Sequence, residues 1–346
     1  MKISFCIPTY NRSKYLAISL NKIVSQIEEL HVENDVEVNL SDNASTDDTK
    51  EFWDKVVSSH PKIHFSYKRN EVNLGPDRNF LSAMNMAQGE YSLLWGDDDY
   101  LKEGGLKRIF ELIEYGEKND VQIMVSSTSV IDAKGKPLFE KNFLRKDIKE
   151  MLVDFSDIHQ ARSYFFLLKD MGGLLSFISD VIYKTSIIKE LPYHEEFIGT
   201  HYAFLNYWWG WLAKGNKLYY SNISFLEETV QYQAAYGFGV NRFMVDYCGY
   251  EVVSRLFNDE TMRKEFLYAF QLLHSYKKLR RLCIREKEAF IRIVDPLVRL
   301  YGLDDSELIE LYDDTSLKSL LRELTLKLIP SKLYIKLVNL KKCFGL

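Results

Sequence analysis

The sequence predicts an α/β fold, with a doubly wound, mostly parallel sheet and a helical C-terminal extension. Over the first 130 residues, short apolar strand-like runs alternate with amphipathic helix-like stretches. Such alternation with short connections is typical of parallel sheets covered by helices on both faces. Beyond about residue 240 the apolar periodicity is helical throughout. We therefore expect a sheet domain over residues 1–240 and a helical region over residues 241–346.

The elements of the sheet domain are predicted from apolar spacing, with polar or proline residues at the helix starts. Every second residue is apolar in the strands, and apolar residues recur three or four apart in the helices. The predicted strands are 3–7, 36–40, 63–67, 91–95 and 121–125. The predicted helices begin near Asn11 or Ser13, at Thr46, at Pro76 and near residue 103.

After residue 135 the alternation becomes looser. Residues 136–160 are expected to form an irregular insertion, and residues 172–183 to run beneath a binding cleft. An aromatic-rich helix is predicted over residues 201–214, and short strands that close the sheet are predicted at 217–220 and 223–226. The predicted C-terminal helices are 242–257, 260–288, 288–300 and 305–328.

Composition excludes several classes of protein. A net charge of −4 argues against a nucleic-acid-binding protein. The N-terminal apolar run is too short for a signal peptide, and no run of eighteen apolar residues predicts a membrane span. The four cysteines are widely scattered and lack the spacing of metal ligands. These features predict a cytoplasmic protein with reduced thiols.

An acidic triplet follows the fourth predicted strand. The apolar run 91–95 ends in Gly96 and then Asp97, Asp98 and Asp99. Adjacent carboxylates repel one another, so a cation beside them is favourable. Hard oxygen ligands suit Mg2+ or Mn2+, which can bridge to phosphates. The triplet alone leaves a solvated acidic turn open as the alternative.

Three further motifs stand at or just after the ends of predicted elements, in a fixed order. They are Ile-Pro-Thr-Tyr-Asn-Arg at 7–12, Leu-Ser-Asp-Asn-Ala-Ser-Thr-Asp at 40–47, and Asn-Leu-Gly-Pro-Asp-Arg-Asn at 73–79. A fourth, Gly-Glu-Tyr at 89–91, leads into the acidic triplet. Together they resemble the nucleotide-sugar half of the inverting family-2 glycosyltransferases, which share the GT-A fold. The resemblance is close over residues 1–130 and looser over residues 170–230.

The resemblance implies a nucleotide-diphosphate sugar as donor, and Mn2+ or Mg2+ to neutralise the leaving diphosphate. It implies that Asp98 is the metal ligand and that Asp97 holds the ribose or shares the metal. Asp99 would be a further contact to the metal or the sugar. The family commonly writes this motif Asp-x-Asp, and Gly96 stands at the first Asp position.

The resemblance also implies donor contacts from the first two motifs. Asp42 would accept a hydrogen bond from a ring N–H of the base, which favours UDP, dTDP or CDP sugars over GDP sugars. Asp42 as a simple turn cap is the alternative. Thr9 and Tyr10 would flank the base or ribose, and Pro8 and Arg12 belong to the same donor-binding motif.

Arg78, in the third motif, would lie near the diphosphate or the base and form charge-assisted hydrogen bonds. The alternative is a surface ion pair with Glu90 or Asp77.

Inverting transfer also needs a general base for the acceptor hydroxyl. Members of the family usually have Glu-Asp at the position of Thr200 and His201, so this chain departs from the pattern. His201 is the first candidate base, because its ordinary pKa suits the task, and Glu196 is the second. Glu195 and Asp180 remain further possibilities, and a helix-cap role is the alternative for His201.

The last twenty residues, 327–346, contain five lysines and no acid, with several apolar residues on one helical face. Such a basic amphipathic helix is typical of a membrane-surface segment. A helix docked on the protein, or one that pairs two chains into a homo-oligomer, is the alternative.

The sequence therefore predicts a metal-assisted inverting glycosyltransferase of bacterial surface polysaccharide assembly. It would act on a glycan or lipid-linked glycan acceptor at the inner face of the plasma membrane. A sugar-phosphate nucleotidyltransferase is disfavoured, since the loop after the first strand lacks glycine. A catalytically inactive nucleotide-sugar-binding or scaffolding subunit is the remaining alternative.

Overall fold

The computed structural model describes residues 1–132, 134–229 and 240–273. The strands in this part of the chain are β1 (Ile3–Thr9), β2 (Val36–Asp42), β3 (His64–Arg69), β4 (Tyr91–Leu94), β5 (Tyr100–Leu101), β6 (Ile123–Ser126), β7 (Thr128–Ile131), β8 (Pro137–Lys141), β9 (Glu150–Asp154), β10 (Val181–Lys184), β11 (Lys217–Ser221) and β12 (Leu226–Thr229). The α-helices are α1 (Ser13–Leu30), α2 (Thr49–Ser59), α3 (Pro76–Met84), α4 (Gly105–Asn119), α5 (Ile158–Leu167), α6 (Ile187–Glu190), α7 (Leu205–Ala213), α8 (Val240–Ser254) and α9 (Glu260–Leu273). Short 3-10 helices form at Met171–Leu174 and Glu195–Phe197.

Within the described residues, the main sheet has eight strands in the order β3-β2-β1-β4-β10-β6-β11-β9. Strands β3, β2, β1 and β4 are parallel, as are β6 and β11. Strand β10 runs antiparallel between β4 and β6, and β9 runs antiparallel at one edge. The predicted α/β fold with a mostly parallel sheet is confirmed. Because β10 is reversed, its N-terminal end lies beside the carboxyl ends of its neighbours.

The sheet is covered on both faces, as its sequence pattern requires. Every residue of β1 and β2 is buried, which is typical of central strands between two layers of helices. Helix α1 buries Leu16, Leu20, Ile23 and Ile27 in a core shared with these strands. These layers fix the strand ends at one edge of the sheet, where the predicted motifs lie.

A smaller four-stranded sheet has the order β5-β12-β7-β8. Strand β5 immediately follows the acidic triplet, and β12 pairs with it in antiparallel fashion. The hydroxyl of Thr229, at the end of β12, donates to the carbonyl of Asp98 at 3.4 Å. The smaller sheet therefore packs directly against the acidic loop.

The structure differs from the sequence prediction in the region after residue 135. The predicted irregular insertion 136–160 contains β8, β9 and the start of α5, and β9 joins the edge of the main sheet. The strand predicted at 223–226 forms at Leu226–Thr229. Helix α7 begins at Leu205 rather than 201, because the backbone of His201 is left-handed with φ of 64°.

The described helices of the C-terminal region pack on the sheet domain. Trp209 of α7 lies 4.8 Å, centroid to centroid, from Phe266 of α9, and Tyr250 of α8 stacks on Phe270 at 5.0 Å. Among the described residues, no helix is long and apolar enough to cross a membrane. The helices predicted at 288–300 and 305–328, most of that at 260–288, and the basic segment 327–346 lie outside the described residues.

Candidate active site

The carboxyl ends of β1, β2 and β4 meet at one edge of the main sheet. Thr9 and Asp42 are register partners at the ends of β1 and β2, and the backbone N–H of Asn43 donates to the Thr9 carbonyl at 2.9 Å. The backbone N–H of Trp95 donates to the Cys6 carbonyl at 2.9 Å, which aligns the end of β4 with β1. Ligands bind at this edge in open α/β sheets. Three of the predicted motifs therefore occupy one site.

The three aspartates of the triplet have different surroundings. Asp97 is buried and accepts a hydrogen bond from the Thr9 hydroxyl at 2.7 Å. Its other oxygen lies 3.0 Å from Nε of Arg12, and Nη2 of Arg12 pairs with Asp98. The side chain of Asp98 is 29% exposed, against 7% for Asp97. Asp98 is thus the member of this pair that a ligand reaches from solvent.

Asp99 turns into the protein. Its carboxylate accepts a hydrogen bond from the Ser179 hydroxyl at 2.5 Å, and the same hydroxyl accepts the backbone N–H of Gly96 at 2.8 Å. A Cβ atom on Gly96 would collide with the Asp99 carboxylate. A side chain at position 96, where the family that the sequence resembles commonly has Asp, would therefore require the Asp99 carboxylate to move.

The charges of the triplet are partly suppressed by burial. Burial raises the pKa of Asp97 to about 7, although the Arg12 guanidinium opposes this rise. Burial, followed by the charge of Asp98, raises the pKa of Asp99 well above its ordinary value. A bound cation would lower both pKa values, because it favours the ionised carboxylates.

The donor set fits a divalent cation that is only partly held by protein. Within the described ranges, no three His, Cys, Asp or Glu side chains converge on one point. Asp97 and Asp98 do converge on a cation, the guanidinium of Arg12. Mg2+ commonly takes one or two carboxylates and completes its shell with water and substrate phosphates. The residues present match that mode of binding.

The end of β2 forms a second polar centre around Asp42, which is fully buried. One carboxylate oxygen accepts from the Tyr67 hydroxyl at 2.6 Å and from Nη1 of Arg69 at 2.8 Å. The other accepts the backbone N–H of Ser45 at 2.8 Å. A carboxylate has about four acceptor positions, so one position remains for a further donor. The hydrogen bond to Ser45 is the turn-capping contact that was the alternative for Asp42.

Sequence reasoning did not identify Tyr67 and Arg69. Both lie on β3, and the position of β3 next to β2 brings them to Asp42. Tyr67 accordingly has a pKa raised to about 12 by burial and by its hydrogen bond to Asp42. The sequence did contain a signal for this contact, because β3 ends in the cationic residues Lys68 and Arg69. In a parallel sheet the end of β3 lies beside the end of β2.

Asparagines connect the loop after β3 to this edge. The amide of Asn43 donates to Asn73 at 2.8 Å and accepts from Asn70 at 3.0 Å. The backbone N–H of Leu74 also donates to Asn43, at 2.9 Å.

Pro8 is buried within β1, whereas Tyr10 is exposed beside the site.

Arg78 is exposed on α3 and pairs with Glu195 at 3.0 Å. Neither predicted alternative partner makes this contact. Glu90 pairs with Lys2 at 3.1 Å. Asp77 is buried and accepts hydrogen bonds from backbone N–H groups instead. Arg78 therefore does form a surface ion pair, but its partner is Glu195 and not Glu90 or Asp77 as predicted.

Asp77 organises the turn that precedes α7. Its carboxylate accepts three backbone N–H groups, from Gly199 at 2.8 Å, His201 at 3.0 Å and Ala203 at 3.1 Å. Three such charge-assisted hydrogen bonds fix a turn that contains two left-handed residues. These hydrogen bonds therefore fix the backbone that carries the His201 side chain.

The candidate bases are therefore held by different partners. His201 is partly buried in the turn fixed by Asp77. The carboxylate of Glu196 lies 3.6 Å from Nη1 of Arg255, which directly follows α8, and that of Glu195 pairs with Arg78.

Asp180 lies just before β10, next to the acidic triplet. Ser179, its neighbour, binds Asp99 and Gly96, and the Asp180 carbonyl accepts the backbone N–H of Ser126 at 3.0 Å. The Asp180 side chain is fully buried, and within the described residues neither carboxylate oxygen has a hydrogen-bond partner. Burial raises its pKa well above the ordinary value, and the charge of Lys141 opposes this rise.

We expect Asp180→Asn to stabilise the metal-free protein increasingly as pH rises. In the wild type, the unfolded chain loses the Asp180 proton near pH 4 while the folded chain retains it, so stability falls with rising pH. The difference in unfolding free energy between variant and wild type should grow from pH 4 to pH 8, by at most about 1.4 kcal/mol per unit. Thermal melts in the presence of a chelator would measure it. Asp54→Asn, a change at an exposed position, should show no such trend. If the difference in unfolding free energy between Asp180→Asn and the wild type is the same at pH 4 and pH 8, the prediction is contradicted.

Comparison with known sequences finds similarity over the N-terminal part of the chain. Residues 4–171 match the sequence model of a family described as Glycosyl transferase family 2. Abequosyltransferase RfbV of Salmonella typhimurium is 35% identical over 202 residues, which are 58% of each chain. A Campylobacter jejuni GalNAc(5)-diNAcBac-PP-undecaprenol beta-1,3-glucosyltransferase is 25% identical over 198 residues, 57% of this chain and 56% of that one. The chain therefore matches less than two thirds of the length of these relatives.

Solved structures share the fold. Residues 1–349 of S. aureus TarS, in complex with UDP, have a TM-score of 0.55 and 19% identity, and the match covers 80% of this chain and 71% of that fragment. The mannosyltransferase PcManGT of Pyrobaculum calidifontis, in complex with GDP-Man and Mn2+, has a TM-score of 0.56 and 14% identity, with 99% and 87% covered. These likenesses confirm the predicted GT-A-like architecture.

Proposed function

We propose that the chain, whose residues 4–171 match the glycosyl transferase family 2 model, transfers a sugar from a nucleotide-diphosphate sugar to an acceptor hydroxyl. The observation that carries this proposal is the meeting of Thr9, Asp42 and the Asp97–Asp98 pair at one sheet edge. A polar centre for the nucleotide base and an acidic centre for a metal-bound diphosphate then lie at the ends of β2 and β4, on either side of β1. The proposed product has the inverted anomeric configuration.

The centre around Asp42 would bind the nucleoside. Its one remaining acceptor position suits a ring N–H of a pyrimidine base, and Arg69, held by the same carboxylate, adds a cation at its rim. Exposed Tyr10 would cover the base or ribose. Thr9 positions Asp97, which would contact the ribose or share the metal.

The acidic triplet would bind the diphosphate through a divalent cation. Mn2+ or Mg2+, when bound, acts as a Lewis acid that neutralises the charge of the leaving diphosphate. Asp98 would be the ligand because its side chain is exposed. Asp99, bonded to Ser179, would fix the loop that carries Asp98. Arg78 would reach the diphosphate by exchanging its exposed partner Glu195 for phosphate oxygens.

For the general base we retain His201 as the first candidate and Glu196 as the second. Support for His201 comes from the turn that Asp77 fixes through three backbone hydrogen bonds. Glu196 would first have to leave Arg255. The base would take the acceptor proton as the hydroxyl attacks the anomeric carbon from the face opposite the diphosphate.

The acceptor is proposed to be a glycan or lipid-linked glycan of bacterial surface polysaccharide assembly. The name of the Campylobacter relative includes an undecaprenol-linked diphosphate glycan, and the Salmonella relative is named an abequosyltransferase. A lipid-linked acceptor would place the chain at the inner face of the plasma membrane, with the basic segment 327–346 as its contact. The alternatives are a terminal helix docked on the protein and pairing of two chains through the C-terminal helices.

A thermal-shift screen of UDP-, dTDP-, CDP- and GDP-sugars, each with and without Mn2+ or Mg2+, tests the donor proposal. A ligand that binds only the folded state raises the melting midpoint. We expect one nucleotide class to raise it by several degrees, and to do so only with metal. Absence of a shift with every donor would contradict the proposal. Donor hydrolysis or transfer would then separate an enzyme from a subunit that only binds.

A further inference from the structure

Arg12 occupies the space between the two carboxylates that the proposed function assigns to the metal. Nε of Arg12 lies 3.0 Å from Oδ1 of Asp97, and Nη2 pairs with Oδ2 of Asp98. Its guanidinium also lies over the ring of Tyr15, with 4.9 Å to the centroid. One guanidinium thus engages both acidic side chains at once.

Two cations cannot share these carboxylates at low cost, because like charges a few ångströms apart repel strongly in a partly buried site. We propose that Arg12 is a resident counter-ion which closes the metal position in the nucleotide-free protein and moves to the diphosphate when nucleotide and metal bind together. The inference rests on the proposed function. Its consequence is that metal alone binds weakly and that metal and nucleoside diphosphate bind cooperatively.

The local structure permits this exchange. Arg12 directly precedes α1, and its carbonyl accepts the backbone N–H groups of Tyr15 and Leu16 at 3.0 and 3.1 Å. The backbone is therefore fixed, while the side chain is long and 27% exposed. A guanidinium binds phosphate oxygens with the same two-pronged geometry that it uses for carboxylates. Only the side chain of Arg12 needs to move.

Titration calorimetry of Mn2+ alone against Arg12→Ala tests the proposal without any transfer reaction. We expect the variant to bind Mn2+ at least about fivefold more tightly than the wild type, a typical size for coupling between two ligands. Lys14→Ala is the matched control, because it removes one positive charge from the exposed start of the same helix. Its Mn2+ affinity should equal that of the wild type. Arg12→Gln, which keeps most of the side-chain length, replaces Arg12→Ala if the latter does not fold.

The second arm adds UDP, dTDP, CDP or GDP to the same titrations. In the wild type, Mn2+ should strengthen diphosphate binding, and in Arg12→Ala that enhancement should be at least about fivefold smaller. Mn2+ affinity in Arg12→Ala equal to or below that of the wild type overturns the inference while the metal site stands. If neither protein binds Mn2+ with any of the four nucleotides, both the inference and metal assistance are overturned.

Discussion

Replacing Asp98 by Asn should lower the rate of sugar transfer by at least about 100-fold, since the leaving diphosphate then loses the ion that neutralises its charge. Asp98 has the exposed carboxylate of the triplet, whereas Asp97 and Asp99 are buried against Thr9 and Ser179. The substitution keeps the size of the side chain, so the loop should retain its fold. Metal-dependent affinity for the nucleoside diphosphate, measured by calorimetry with Mn2+, should be lost along with activity.

The matched control is Asp48→Asn, which makes the same change at the exposed N-cap of α2, where the side chain makes no capping hydrogen bond. It should leave binding and melting midpoint unchanged. If Asp98→Asn retains the wild-type affinity for nucleoside diphosphate plus Mn2+, the assignment of Asp98 to the metal fails.

Replacing Asp42 by Asn should weaken nucleotide binding by at least about tenfold and lower the free energy of unfolding by about 2 kcal/mol. The carboxylate holds Tyr67, Arg69 and the N–H of Ser45, and an amide replaces one acceptor oxygen by a donor. Hydrogen bonds to a charged group contribute about 1.5–3 kcal/mol each, but Arg69 is half exposed, so its share is smaller. Calorimetric nucleotide titration and chemical denaturation measure the two effects separately.

Tyr67→Phe is the comparison for Asp42→Asn, because it removes one hydrogen bond from Asp42 and leaves the charge and Arg69 in place. It should lower the free energy of unfolding by about 1.5 kcal/mol while nucleotide affinity remains close to that of the wild type. Asp42→Asn with reduced stability but unchanged nucleotide affinity would show that Asp42 only caps the turn.

Much of the fold could be predicted because its signals are local. The alternation of strand-like and helix-like segments predicted the parallel arrangement. The motifs at the ends of successive strands predicted the edge where they meet. The helix predicted at 201–214 forms at Leu205–Ala213, and only its predicted start was wrong. That start depends on Asp77, more than 120 residues earlier in the chain. The edge strand β9 was also missed, because it gains its partner only when β11 is in place.

The sequence by itself determined the class of fold and the positions of Thr9, Asp42 and the acidic triplet at strand ends. Only the tertiary structure decided what each side chain contacts. The reversed strand β10 brings Ser179 to Asp99 across 80 residues of chain, and strand pairing brings Arg69 to Asp42. The physical reason is that periodicity reports which face of an element is buried, whereas a site is built from contacts between elements that the sheet order alone brings together.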